Sequence, residues 1–172
     1  LLRRSHRRFL RALIDLKSAR YERFNGTVFQ LEPDLKSSPG GLRDYHWIRW
    51  ISQIGPEQSA QALDVDVGLL HIIRNYLHFL SGRDQNVLSY RYQARIAAEL
   101  GYRDSDRGEA AENFMRDYFL SAQRIARRAS ELESRLLGSP DRLAVALDLD
   151  DAAAVIDVFG EACRNKLEID LG

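Results

Sequence analysis

Apolar residues along this chain recur at helical spacing almost throughout. From about Gly108 to Leu137, the positions Ala111, Phe114, Tyr118, Ala122, Ile125, Ala129, Leu132 and Leu136 follow one another in steps of three and four, a continuous stripe that predicts one long helix. At ~1.5 Å per residue it would span roughly 45 Å, and Gly138-Ser139-Pro140 stops it. Leu1 to about Arg23 predicts a basic helix with Phe9, Leu10, Leu13, Ile14 and Leu16 as its apolar stripe and Arg3, Arg4, Arg7, Arg8 and Arg11 around the rest. Leu42 to about Ile54 predicts a second, ended by Gly55-Pro56. Asp66 to Leu80 is apolar nearly all round, with Leu70, Ile73, Leu77 and Leu80 as a central line, the pattern of a core helix. Ser89 to Leu100 is followed by Gly101, where a C-terminal glycine belongs. A last helix is expected from about Asp151 to Cys163, with Val155, Ile156 and Phe159 inward. Asn25-Gly26 marks a turn, and Thr27 to Glu32 is the one candidate for a short extended segment, too little to make a sheet. The expected fold is all-α: a multi-helix bundle with one long helix and little or no strand.

Length and composition narrow this further. The 172 residues fit a single helical domain. Hydrophobic residues at 45% and charged residues at 29% suit an ordinary globular protein. The formal net charge is zero, so no overall field favours nucleic acid or anionic lipid. No apolar run approaches bilayer-crossing length, and nothing reads as a signal peptide. Cys163 stands alone, which excludes an internal disulfide or a cysteine-rich zinc site. The cytoplasm is the default compartment. A first residue that is leucine rather than methionine points to a piece of a longer protein.

The densest chemistry lies between Lys36 and Asp44, a loop feeding a helix start. Pro39 suits a first-turn position. Gly40 and Gly41 can adopt backbone angles closed to other residues and allow a ligand close to the main chain. Amides at a helix start attract anions. Lys36 brings a point charge and Arg43 a planar fork that fits phosphate. Asp44, in the first turn, suits the helix dipole and could orient Arg43 or hold a magnesium-bound water. The plainer account is a decorated helix start, with Ser37 or Ser38 as cap and the glycines only turning the chain.

The run LEPDLKSSPGGLRD, from Leu31 to Asp44, resembles the signature L-E-P-N-I-K-E-x-P-G-G-L-R-D of the bifunctional uridylyltransferase/uridylyl-removing enzymes of PII nitrogen signalling. The glutamine-synthetase adenylyltransferases carry a related K-x-G-x-G-G-I-R-[DE] motif. RNYLHFLSGRDQNVLSYRYQARIAAELGY and AENFMRDYFLSAQRIAR resemble two further helical motifs of the first family, in the same order, so the resemblance runs from about Tyr21 to Ala129. The tail from Asp150 fits more weakly. Asp34 stands where the family usually has Asn, and Ser37 where it has Glu.

The family's G-G-x-G-R-x-E-L…S-D-x-D-L transferase motif, its HD hydrolase dipeptide and its C-terminal ACT domains do not occur in these residues. The resemblance therefore implies the helical segment between a nucleotidyltransferase and an HD hydrolase domain, not catalytic alone. In the intact enzyme, metals such as Mg²⁺ would be held by the transferase domain, and a PII tyrosine hydroxyl would attack the α-phosphorus of UTP. Lys36, Gly40, Gly41, Arg43 and Asp44 would then form a nucleotide- or phosphate-binding loop, with no metal ligand and no catalytic base among them. The expected partners are the PII signalling protein, UTP and the two neighbouring domains.

Other residues read more simply. His71 and His78, two turns apart on one helix, are expected at the edge of the core, since metal pairs favour a one-turn step. His46 is expected to pack or cap. Trp47 and Trp50 are core or interface residues before they are a platform for a base. Arg83 is expected in a helix-terminal salt bridge ahead of a nucleotide cleft. Arg124, Arg127, Arg128 and Arg135 read as a solvated face. Two rival functions remain: a helical docking module with no nucleotide contact, and nucleic-acid binding through the arginines from Arg3 to Arg11, which would show steep salt dependence.

Overall fold

The computed structural model describes residues 2–54, 63–105 and 108–138, with residues 2–7, 53 and 54 described by backbone alone. Five helices follow in order: α1 (Leu2–Glu22), α2 (Leu42–Ile54), α3 (Asp64–Ser81), α4 (Tyr90–Glu99) and α5 (Ala110–Gly138). Each matches a periodic segment of the sequence. The helix expected at Asp151–Cys163 lies outside the described residues. Among the described residues there is no strand; the extended pairing is confined to isolated bridges, Asp34 with Val87 and Ser105 with Gly108. The segment Thr27–Glu32 is therefore not a strand, and pairing begins just beyond it.

α5 is the axis of the fold, packed against α2, α3 and α4. Its stripe is buried as the period requires: Phe114, Tyr118, Ala122, Ile125, Ala129, Leu132 and Leu136 all turn inward, while Ala111 at its start is half-buried. Across from it sit Leu35, Ile48, Leu70, Ile73, Leu77 and Ile96. Burying each such aliphatic side chain contributes about 1.5–3 kcal/mol.

The helix ends follow local rules. Gly82 takes φ 66° after α3 and donates its N–H to the His78 carbonyl. Gly101 takes φ 83° after α4, and Tyr102 N–H turns back to the Ala97 carbonyl. The start of α4 is capped from far away in sequence: Tyr90 N–H donates to Glu32 Oε1 at 2.9 Å.

Two helices depart from their apolar pattern. On α1, Leu16 is 69% exposed. The inward face runs instead through Leu13 and Ile14 to Lys17 and Arg20, both buried. The helical period carries that face past the last apolar residue into charged ones. On α3 the expected burial on all sides is not found. Val67, Leu70, Ile73 and Leu77 face the core, but Val65 is 85% and Phe79 82% exposed, with Ile72 between them also exposed. A bundle helix at the periphery has one neighbour-facing side, whatever its composition.

Candidate functional site

The loop from Leu31 to Asp44 is a single hydrogen-bonded unit. Leu31 C=O accepts Gln93 Nε2–H at 2.7 Å. Pro33 C=O accepts Leu88 N–H, and Leu35 N–H donates to Asn86 C=O, each at 2.8 Å. These bonds fasten the first limb to the α3–α4 connection and to α4 itself. Asp34 Oδ1 accepts Lys36 N–H at 2.8 Å and Ser37 N–H at 2.7 Å, while Ser38 Oγ accepts Asp34 N–H at 2.9 Å. Neither Ser37 nor Ser38 is thus the side-chain cap of α2.

The turn closes on itself. Gly41 N–H donates to Ser38 C=O, Leu42 N–H to Leu35 C=O, and Arg43 N–H to Lys36 C=O, at 2.9, 2.9 and 3.0 Å. Gly40 N–H donates to Asp44 Oδ2 at 2.6 Å. The amides expected to await an anion are engaged inside the loop. The glycines are needed for another reason. A Cβ on Gly40, which sits at φ 77°, would lie 2.1 Å from the Ala122 carbonyl oxygen. A Cβ on Gly41 would lie 2.9 Å from the carbonyl oxygens of Leu35 and Ser38. The main chain brought close to Gly40 is that of α5.

Asp44 is fully buried. Its Oδ1 accepts Arg20 Nη2–H, and its Oδ2 accepts Tyr21 O–H at 2.5 Å as well as Gly40 N–H. Arg20 Nη1–H also donates to Ser37 C=O at 3.0 Å. Asp44 thus organises the loop through donors from Arg20, Tyr21 and Gly40. Burial and the neighbouring Asp44 charge push the Tyr21 hydroxyl well above the usual phenol range. One turn back, Lys17 Nζ lies 2.5 Å from Glu133 Oε2 and 4.4 Å from the centre of the Tyr21 ring. An open cleft of about 600 Å³ beside this network is lined by Lys17, Tyr21, Asn25 and Glu133 among others, and by none of the residues Lys36 to Asp44.

Of the expected site residues, then, Gly40, Gly41 and Asp44 meet in one buried turn, and Lys36 and Arg43 are its two half-buried cationic side chains. Among the described residues, no group of three or more His, Cys, Asp or Glu is placed to hold a metal. Sequence reasoning missed Arg20, Tyr21 and Glu32. The signal for Arg20 and Tyr21 was their register: they continue the inward face of α1 at steps of three and four from Lys17.

Residues 8–55 and 54–133 match the family described as GlnD PII-uridylyltransferase. The chain belongs to this family. Relatives named bifunctional uridylyltransferase/uridylyl-removing enzyme include those of Psychrobacter sp. (strain PRwf-1), 38% identical over 76% of this chain and 16% of that protein, and of Psychrobacter arcticus (strain DSM 17307 / VKM B-2377 / 273-4), 37% identical over 71% and 15%. That of Thiobacillus denitrificans (strain ATCC 25259 / T1) is 33% identical over 73% and 16%. The chain thus spans about one sixth of the length of these relatives. No solved structure matches it.

Within a GlnD PII-uridylyltransferase segment, the two departures from the signature have a local account. Asp34 acts through one oxygen that accepts two amides, a task the Asn side-chain oxygen performs equally. Ser37 contributes its carbonyl to Arg20, which any residue offers.

The remaining residues divide between packing and ion pairs. Trp47 is buried and Trp50 half-buried, with His46 stacked on Trp50 at 6.4 Å between ring centres. His71 is exposed; partial burial and then the Arg74 charge lower its pKa. His78 Nε2 lies 3.0 Å from Asp84 Oδ1, and Arg74 pairs with the same carboxylate at 3.2 Å. The salt bridge expected of Arg83 is not found among the described residues, since Arg74 and His78 take Asp84. Arg124 is no mere solvated residue: Nε and Nη2 both donate to Asp66 Oδ1, at 2.9 and 2.6 Å, and this ties α5 to α3. The exposed Arg127 and the half-buried Arg128 pair with Glu131.

Proposed function

We propose that this chain serves a PII uridylyltransferase/uridylyl-removing enzyme of nitrogen regulation as the helical segment that completes its nucleotidyltransferase site. In this reading Lys36 and Arg43 meet the triphosphate of UTP or the departing pyrophosphate, and Gly40, Gly41 and Asp44 hold the turn that presents them. Mg²⁺, held by carboxylates of the transferase domain, would supply the Lewis acid, and a hydroxyl of PII the nucleophile. The chain adds position and charge, and it contributes neither base nor metal ligand. No described helix is long and apolar enough to cross a membrane, and UTP and PII would be met in the cytoplasm.

The observation that carries this reading is the locked turn in the family's signature. Its backbone is fixed on both limbs and against α5, so the main chain from which the two cations project is set before any ligand arrives. Preorganised charge is what stabilises a phosphoryl-type transition state most effectively. The test is Arg43→Ala in the intact enzyme, with uridylyl transfer to PII and uridylyl removal measured on the same preparation. Transfer is expected to fall and removal to be spared. Equal losses in both, or none in either, reject the role.

A second reading, a docking module without nucleotide contact, is favoured by the exposed α3 stripe of Val65, Ile72 and Phe79 at seven-residue spacing. It predicts that Phe79→Ser weakens association with a neighbouring domain while Arg43→Ala changes nothing.

A further inference from the structure

We propose that Arg20 and Tyr21 of α1 are positioning residues for the transferase reaction, acting through Asp44 on the placement of Arg43. The inference rests on the phosphate-binding reading of Arg43 above and adds a control point outside the signature. Arg20 spans the turn with one planar group. Nη1–H holds the Ser37 carbonyl before Pro39-Gly40-Gly41, and Nη2–H holds Asp44 after it. Tyr21 O–H takes the other Asp44 oxygen, which also accepts Gly40 N–H. Asp44 directly follows Arg43 in the first turn of α2, so whatever fixes Asp44 fixes the base of the Arg43 side chain.

The chemistry of this seam argues for geometry over mere adhesion. Arg20 and Asp44 are both buried, as is Lys17, whose Nζ lies over the Tyr21 ring. Buried ion pairs are often no more stabilising than apolar side chains of the same volume. An apolar seam would hold α1 against α2 in a range of small offsets. A guanidinium fork admits one orientation, set by its two acceptors. The clamp also reaches α5 through Lys17 and Glu133, so α1, α2, the turn and α5 are registered to one another at this point. A shift of α1 would be felt at the turn, which makes α1 the element through which an adjoining part of the enzyme would set the loop.

The test is a double-mutant cycle in the full-length enzyme, with Arg20→Lys, Tyr21→Phe, Arg43→Ala and the pairwise combinations. kcat and KM for UTP in transfer, the rate of uridylyl removal and the melting temperature are read for each. Arg20→Lys keeps a charge beside Asp44 but cannot span to Ser37 C=O; it is expected to lower kcat for transfer by tenfold or more, with removal within twofold of the parent. Tyr21→Phe keeps the ring packed and is expected to lose about threefold to tenfold; it decides the matter if Arg20→Lys does not fold. In the Arg43→Ala background each change is expected to lower transfer by much less than in the parent, because only Lys36 is then left for the clamp to position. Full additivity with Arg43→Ala, equal loss of both activities, or unchanged transfer in both variants overturns the inference while leaving the loop reading intact. Unchanged transfer in Arg43→Ala alone overturns the loop reading and this inference with it.

Discussion

Gly40 rests directly on the main chain of Ala122, so close that a single added carbon would sit 2.1 Å from the Ala122 carbonyl oxygen and 2.8 Å from its Cα. Gly40 also holds φ 77°. The signature loop is therefore seated on the central helix by the absence of a side chain, and both backbone conformation and contact distance demand glycine there.

Gly40→Ala is accordingly expected to destabilise the fold by roughly 2–4 kcal/mol, combining left-handed strain with overpacking against a backbone that cannot yield. That corresponds to a fall of roughly 5–15 °C in melting temperature. Gly82→Ala is the control: it has a similar φ of 66° but nothing within 4 Å of the added carbon, so its cost is expected to stay near ~1 kcal/mol. Thermal melts of the two variants check this; equal losses would remove the contact with Ala122 from the explanation.

Arg43→Ala in the intact enzyme is expected to slow uridylyl transfer by roughly a hundred- to a thousandfold, the loss of about 2.7–4 kcal/mol typical of a donor aimed at developing charge. Arg43→Lys is expected to recover only part of it, because an ammonium cannot reproduce the planar fork. Steady-state rates of transfer and of removal, with melting curves, separate this from a structural effect.

Arg124→Ala is expected to cost about 1–2 kcal/mol of stability. It leaves the buried Asp66 carboxylate without its two donors, but the arginine end is more than half exposed and its charge is screened. Denaturant midpoints at low and high salt check this: the gap between variant and parent should shrink as salt rises. An unchanged gap would argue that the loss is one of packing.

Stability is expected to fall above about pH 10. Burial raises the Tyr118 hydroxyl far above the ordinary phenol range, and Asp34 adds to it. Tyr21 is raised by burial and Asp44, and Tyr102 is pushed up to about 12 by burial and its hydrogen bond to Asp117. In each case the folded state keeps a proton that the unfolded chain releases near pH ~10, so the contribution is whole below that value and is lost as pH climbs through the raised one. Urea midpoints from about pH 8 to about pH 11 should hold steady and then drop, and Tyr118→Phe should flatten the drop. A midpoint independent of pH above about 10 would contradict this.

What the sequence by itself determined is the set of helices and the identity of the family. Helical period and capping glycines are local, and they carry the elements from Leu2 to Gly138 without reference to a partner. The signature around Gly40 and Gly41 was equally legible as a motif. Its physics was not, because a glycine reads the same whether a ligand or a helix backbone comes near it. Only the tertiary structure placed α5 against Gly40, gave Asp44 its donors from Arg20 and Tyr21, and drew Glu32 onto the start of α4. Those contacts join residues far apart along the chain, and periodicity says which face a residue lies on but not what lies opposite. The same limit explains Leu16 and Lys17: hydrophobicity favoured Leu16 for the interior, and the register of α1 against Glu133 and Asp44 put Lys17 and Arg20 there.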